Sequence, residues 1–304
     1  MKSNKKQWKV VITGATGFVG SNVARRLVTD GWDVHLIART ESNFSLVQDI
    51  LKAVTIHQHD GTTENMLDIF ERVKPNIVFH LAALFLAQHE PKDIGPMIKS
   101  NVLFATQLVE AMIANGVYCL INTGTSWQHF ENKEYNPVCL YAATKQAFES
   151  ILEFYVETTP LKVITLKLFD TYGPNDPRNK LFTLLRNVAK EEKSLPMSPG
   201  EQLINLVYID DVVDAFVLAA ERLQKGKVEK HEAYAVSSGT PIRLRDIVDI
   251  YSRIIGKDLP IEWGGRPYRN REVMVPWNNG MQLPDWQPKI SIEEGIRRME
   301  LSND

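Results

Sequence analysis

A tyrosine and a lysine four residues apart, in Tyr141-Ala142-Ala143-Thr144-Lys145, carry the strongest chemical signal in this chain. On a helix that spacing puts both side chains on one face. A cation beside a phenol favours the phenolate, so the pair predicts a tyrosine of lowered pKa. Such a tyrosine gives or takes a proton near neutral pH. Upstream, an apolar run ends in the hydroxyl cluster Asn122-Thr123-Gly124-Thr125-Ser126. Thr125 or Ser126 could there hydrogen-bond a substrate carbonyl or alkoxide as charge develops.

The pair alone is a common accident of helical sequence. It gains weight from Lys9-Val10-Val11-Ile12-Thr13-Gly14-Ala15-Thr16-Gly17-Phe18-Val19-Gly20, an apolar run that stops in three glycines before a helical pattern. A strand ending in such a turn aims backbone N–H groups and a helix N-terminus at one point, which suits a pyrophosphate. Gly14, Gly17 and Gly20 would allow the tight turn, the approach of phosphate and close helix packing. Arg39 follows the second apolar run, where a NAD-specific turn would place a carboxylate on the ribose. A cation there suits a 2′-phosphate, so NADP(H) is expected over NAD, although Glu41 stands nearby. Asp60-Gly61 ends the third run, and its carboxylate could accept from an adenine amino group. His80-Leu81-Ala82-Ala83 ends the fourth, with small residues that let a cofactor pass closely. Asn101 lies in the following helix as a cofactor contact or a surface amide.

These residues need a scaffold in which strand ends share one edge. Apolar runs at 33–38, 54–57, 77–82, 119–123 and 162–168 alternate with helical patterns at 22–29, 45–53, 64–73, 96–115 and 140–158. That rhythm predicts βαβ units, and hence an α/β fold with a doubly wound parallel sheet of Rossmann type. Beyond residue 168 prolines break the rhythm. Helices are expected at 181–190, 211–223 and 244–255, with a strand at 234–237. The division is a dinucleotide-binding unit over 1–168 and a smaller, interleaved C-terminal lobe for substrate over 169–304. The 304 residues are 44% hydrophobic with a net charge of −2, which gives no bulk attraction to nucleic acid or anionic membranes. Lys2, Lys5 and Lys6 precede no apolar h-region, and no stretch reaches the ~18 apolar residues of a membrane span. Cys119 and Cys139 lack metal-ligand spacing and make no disulfide framework. No metal is expected, and a cytoplasmic protein is.

Taken together, the motifs resemble the extended short-chain dehydrogenase/reductase superfamily, in its nucleotide-sugar epimerase/dehydratase branch. The resemblance runs from the glycine turn, His80-Leu81-Ala82-Ala83, Asn101-Val102 and Tyr141 to Lys145 into Leu168-Phe169-Asp170-Thr171-Tyr172-Gly173-Pro174. It continues through Val207-Tyr208-Ile209-Asp210-Asp211-Val212 and ends with Trp286-Gln287-Pro288-Lys289-Ile290-Ser291-Ile292-Glu293-Glu294-Gly295-Ile296. It implies that Thr125, Tyr141 and Lys145 form the catalytic group. It also implies dinucleotide contacts from Gly14, Thr16, Gly17, Phe18, Val19, Gly20, Arg39, Asp60, Gly61, Leu81, Ala82, Ala83, Asn101, Thr123 and Leu168, besides Tyr141 and Lys145. Ser126, Asp170, Arg266, Arg269 and Arg271 become candidates for holding a nucleoside-diphosphate sugar, since arginine forks suit phosphate. The family pattern further implies a homodimer that packs helices 96–115 and 140–158 into a four-helix bundle.

Departures narrow the reading. A 4,6-dehydratase carries Asp-Glu after the threonine, and this chain has Ser126-Trp127. The epimerase Val-Tyr-Gly is replaced by Gln128-His129-Phe130, and Asp170 stands where asparagine is usual. Asn122-Thr123-Gly124-Thr125 and Pro267-Tyr268-Arg269-Asn270-Arg271-Glu272-Val273-Met274 look most like the CDP-abequose and CDP-paratose synthases. The expected activity is NADPH-dependent reduction of a 4-keto group on a nucleotide-linked deoxyhexose such as CDP-4-keto-3,6-dideoxyglucose. An NAD-dependent 4-epimerase and a non-catalytic NADP-binding sensor are the alternatives.

Overall fold

The first apolar run is β1 (Lys9–Thr13), and the glycine turn leads into α1 (Phe18–Thr29). Then come β2 (Asp33–Arg39), β3 (Val54–His59), α2 (Thr63–Val73) and β4 (Ile77–His80). The expected helix at 45–53 is a 3₁₀ helix, Ser45–Ala53, which buries Val47 and Ile50. Residues three apart eclipse in that geometry, so two inward side chains at this spacing fit it.

The expected helix at 96–115 is three pieces: α3 (Ile94–Ile98), a π-helical turn (Lys99–Leu103) and α4 (Phe104–Ala114). Next follow β5 (Cys119–Thr125), α5 (Leu140–Thr158) and β6 (Lys162–Leu168). Beyond them lie β7 (Asp170–Tyr172), α6 (Leu181–Glu191), β8 (Leu195–Met197), β9 (Leu203–Ile204), β10 (Leu206–Tyr208) and α7 (Ile209–Gln224). The chain continues through β11 (His231–Val236), β12 (Ile242–Arg243), α8 (Leu244–Ile255), β13 (Ile261–Trp263) and α9 (Ile292–Leu301). The structure is a computed structural model that describes residues 8–191 and 193–301. Lys2, Lys5 and Lys6 lie outside the described residues.

Seven strands form one parallel sheet in the order β11-β6-β5-β4-β1-β2-β3. Helices cover both faces, so the strands are buried on both sides and read as continuous apolar runs. Val10 and Ile12 pack on one face with α1 and α7, while Val11 faces α2, α4 and α5. The sheet's seventh strand, β11, and the covering helix α7 both come from beyond residue 168. Strand order reverses between β1 and β4, and in such sheets the ligand crevice opens at that point, beyond the strand ends.

Candidate active site

Gly14, directly after β1, has φ +74°, and a Cβ there would lie 2.5 Å from the Ala82 nitrogen. Only glycine lets the β1 turn close so tightly on the β4 turn. A Cβ on Gly20 would strike the Gly14 carbonyl. Thr13 ties the same two ends together. Its hydroxyl lies 2.8 Å from His80 Nδ1 and accepts from the Ala82 N–H at 3.3 Å. His80 is fully buried, and burial with Lys145 nearby drives its pKa well down, so the ring is neutral.

Gly17 is the N-cap of α1 and has no side chain to satisfy the helix's first N–H groups. It is exposed, and the nearest atom to a Cβ there is the Gly14 oxygen at 3.4 Å. Open space over free N–H groups at a helix N-terminus is an anion cradle. Thr123, at the β5 end, has a buried hydroxyl with no partner among the described residues. A dinucleotide laid along this edge would fit both features. The other residues expected to contact it lie as follows. Thr16 and Val19 flank Gly17, and Phe18 is buried. Leu81, Ala82 and Ala83 follow β4, and Leu168 ends β6.

Arg39 ends β2 two residues past Ile37, the register partner of Thr13. Its side chain is 75% exposed and 3.3 Å from Glu41, so the charge expected to favour NADP(H) is shared with a carboxylate. Asp60 is exposed, and its Oδ1 accepts from the Thr62 N–H and hydroxyl, which lowers its pKa. One of its oxygens is therefore spent on the turn into α2. Gly61 gives its carbonyl to Gln107 at 3.1 Å.

Asn101 is no surface amide. It is 2% exposed and sits in the π-helical turn. Its Oδ1 accepts from the Leu84 N–H at 2.7 Å, and its Nδ2 donates to Leu84 O and Thr144 Oγ1, both at 3.0 Å. Thr144 in turn donates to the Tyr141 carbonyl at 2.7 Å. Asn101 thus braces the first turn of α5, and a π bulge at such a position commonly marks a functional site.

That turn carries Tyr141, Lys145 lies one turn further along α5, and Thr125 ends β5. Thr125 caps the 3₁₀ turn Ser126–Gln128: its Oγ1 accepts from the Trp127 N–H at 3.3 Å, and its own N–H donates to Gln128 Oε1 at 3.0 Å. Protein surrounds Tyr141 while part of its surface stays accessible, with Phe85 edge-on at 4.9 Å. The sequence predicted a lowered tyrosine pKa, and the structure corrects this. Burial pushes the Tyr141 phenol up, with Cys139 adding to the rise. Burial also pulls the Lys145 ammonium down to about 8, against an opposing pull from Glu149. Desolvation is the dominant cause, so the protein alone keeps Tyr141 protonated.

Beside this group opens a cavity of about 760 Å³, within the usual range for small-molecule sites. Ser126, Asp170, Arg266 and Arg269, which the sequence offered as candidate substrate contacts, line it. Arg266 has no carboxylate within ion-pair distance among the described residues. Arg269 is already held by Glu272 at 2.9 and 3.1 Å, so most of its charge is matched. Arg271 does not line the cavity. It donates to Asn136 Oδ1 at 2.6 Å and lies 4.3 Å over Phe130, as a structural tie. Sequence reasoning missed Lys180, which lines the cavity 3.4 Å from Asp170 and 5.9 Å over Phe85. Its place shortly after Tyr172-Gly173-Pro174 was the available signal. It also missed His129 and Trp277, both on the wall. Among the described residues there is no cluster suited to a metal ion, and no helix long and apolar enough to cross a membrane.

Residues 10–236 match the profile described as the NAD dependent epimerase/dehydratase family. The chain is 26% identical to a CDP-abequose synthase of Salmonella muenchen over 96% of each chain. It is also 26% identical to a UDP-glucuronate 4-epimerase of Thermodesulfobacterium geofontis, over 95% of this chain and 94% of that one. In fold it is similar to the UDP-glucose 4-epimerase of Thermotoga maritima, with a TM-score of 0.84, 24% identity and coverage of 97% and 98%.

Proposed function

The chain belongs to the NAD dependent epimerase/dehydratase family, and we propose that it is an NADPH-dependent reductase of the 4-keto group of a nucleotide-linked deoxyhexose. A CDP-4-keto-3,6-dideoxyglucose is the kind of substrate meant. The observation that carries the reading is Tyr141 on α5, its phenol kept protonated by burial and its ring met edge-on by Phe85, which also lines a crevice of about 760 Å³. A phenol held in its acid form is the state a reduction needs, because a proton must reach the forming alkoxide. The dinucleotide, when bound, supplies the hydride. Gly14, Gly17 and Gly20 would seat its pyrophosphate, Thr123 its nicotinamide side, and Arg39 a 2′-phosphate.

Tyr141 gives its proton to the substrate oxygen. Thr125 Oγ1 donates a hydrogen bond to that oxygen, and Lys145 restores the proton balance from an ammonium whose pKa is about 8. Ser126 and Asp170 face the sugar, while Arg266, Arg269 and Lys180 face the diphosphate. Phe85, Trp127, Phe130, Phe169 and Trp277 wall the crevice. Rings there suit a sugar poor in hydroxyls, since each buried hydroxyl without a partner costs affinity. The CDP-abequose synthase likeness supports the same choice.

Ile94, Ile98, Leu103 and Phe154 are exposed apolar side chains on α3, the π turn and α5, and they support a homodimer through a helix bundle. Both cysteines are free thiols, in keeping with the cytoplasm. The 4-epimerase relative favours a second reading, in which NAD is held tightly and no external reductant is used. The test is to supply NADPH with the CDP-linked 4-keto sugar and follow nicotinamide absorbance. One NADPH lost per sugar reduced supports the reductase. Turnover without added NADPH supports the epimerase. Binding of NADPH with no turnover on any nucleotide sugar would leave a sensor.

A further inference from the structure

Behind Trp277 lie three polar groups that the proposed chemistry does not use, of which His129 alone also lines the crevice. Glu149, Lys167 and His129 are each more than nine-tenths buried. The Lys167 ammonium is 3.3 Å from Glu149 Oε2 and 2.8 Å from His129 Nε2. An ammonium has only hydrogens to offer, so His129 Nε2 accepts. Nδ1 then carries the ring proton and donates to the Lys133 carbonyl at 3.2 Å. Both ring nitrogens are committed, and the imidazole is neutral.

The cluster reaches two parts of the site. Toward Thr125, Gln128 Nε2 donates to Glu149 Oε1 at 3.0 Å, while Gln128 Oε1 accepts the Thr125 N–H at 3.0 Å. Toward the crevice, the His129 ring stacks on Trp277 with centroids 4.0 Å apart and planes 17° apart. Trp277 is also parallel to Phe169 at 6.2 Å, and Lys167 lies 5.8 Å over its ring. The segment carrying Trp277 has two more ties to the same loop. The Asn278 N–H donates to Asn132 Oδ1 at 2.9 Å, and Arg271 reaches Asn136. A Cβ on Gly280 would lie 2.5 Å from the Trp277 ring, so that glycine gives the indole room.

Resting on the reductase reading, we infer that His129 is a positioning residue: anchored by Lys167 and Glu149, it fixes Trp277 as a wall of the sugar end of the crevice. It sets affinity for the nucleotide-linked sugar without touching the reacting atoms. Arg269 and Arg266 come into the crevice on the same segment of chain as Trp277, so His129 governs where that segment sits. Lys167 acts one step further back, by dictating which imidazole nitrogen accepts.

The experiment compares H129A, H129F and W277F with the wild type, using CDP-4-keto-3,6-dideoxyglucose and NADPH. An aromatic stack is worth roughly a 3- to 10-fold change in an equilibrium constant. H129A raises KM for the sugar by about that factor, with kcat within about twofold and NADPH affinity unchanged. H129F, which keeps a flat ring against Trp277, recovers most of the lost KM. An unchanged KM in H129A, or a fall in kcat at constant KM, overturns the inference. Near-ultraviolet circular dichroism of the ligand-free proteins decides the placement independently of turnover. H129A must reproduce the band change seen in W277F; if its spectrum matches the wild type, His129 does not hold Trp277. A wild-type protein that turns over no nucleotide sugar counts against the reductase reading alone.

Discussion

Gly17→Ala separates the fold's need for the glycine turn from the ligand's need for it. Gly17 has φ −93° and ψ 169°, a conformation open to any residue, and the nearest atom to an added Cβ is 3.4 Å away. The folded protein therefore accepts the methyl group without a clash, at the roughly 0.5–1 kcal/mol by which glycine exceeds alanine as an N-cap. The pyrophosphate does not, because the methyl occupies the approach to the N–H groups of α1. Overpacking by one methyl costs about 1–3 kcal/mol, which here falls on the complex and weakens NADPH binding roughly 5- to 150-fold. Gly14→Ala is the contrast. Its Cβ would lie 2.5 Å from the Ala82 nitrogen at φ +74°, so it damages the fold itself. The assay is fluorescence titration with NADPH, paired with thermal unfolding of each variant. A Gly17→Ala protein of normal stability that binds NADPH as the wild type does would refute the placement of the dinucleotide on this turn.

Tyr141→Phe should cut kcat at least a hundredfold while NADPH affinity holds, since general acid catalysis contributes roughly 10²–10⁴ in rate. Asn101→Ala takes the partner from the part-buried Leu84 N–H and removes the brace on Thr144; a loss of about 1–3 kcal/mol in denaturant unfolding is expected. Lys145 titrates near 8 when folded and near 10.5 when unfolded. Between those values the unfolded chain binds the extra proton, so ligand-free stability gains from this residue as pH rises from about 8 to 10.5. Lys145→Met should lack that gain when the two stability curves are subtracted. Size-exclusion with light scattering should find a dimer that Phe154→Glu converts to monomer, because Phe154 is 63% exposed on α5.

Features set by local spacing were legible in the sequence. Alternating apolar runs gave the parallel sheet, and the glycine turn and the Tyr141–Lys145 pair fell where a doubly wound fold needs them. What depended on distant partners was not legible. Nothing near Asn101 announces the π turn, because its bonds go to Leu84 and Thr144. The arginines at 266, 269 and 271 look alike in sequence, yet Glu272 holds one and Asn136 another. The direction of the Tyr141 pKa was missed because spacing shows the cation and not the burial around it. His129 and Trp277 meet across 148 positions (277 − 129).

Hydride transfer to a sugar carbon is the centre of the account, and isotope labelling reads it directly. The protein is incubated with NADPH deuterated at the reactive nicotinamide carbon and with CDP-4-keto-3,6-dideoxyglucose, and the product is analysed by mass spectrometry and proton NMR. A reductase of the proposed kind delivers one deuteron to the sugar's C4, with equal loss of NADPH. A product carrying no deuterium, or a nucleotide sugar inverted at C4 without consumption of NADPH, would contradict it.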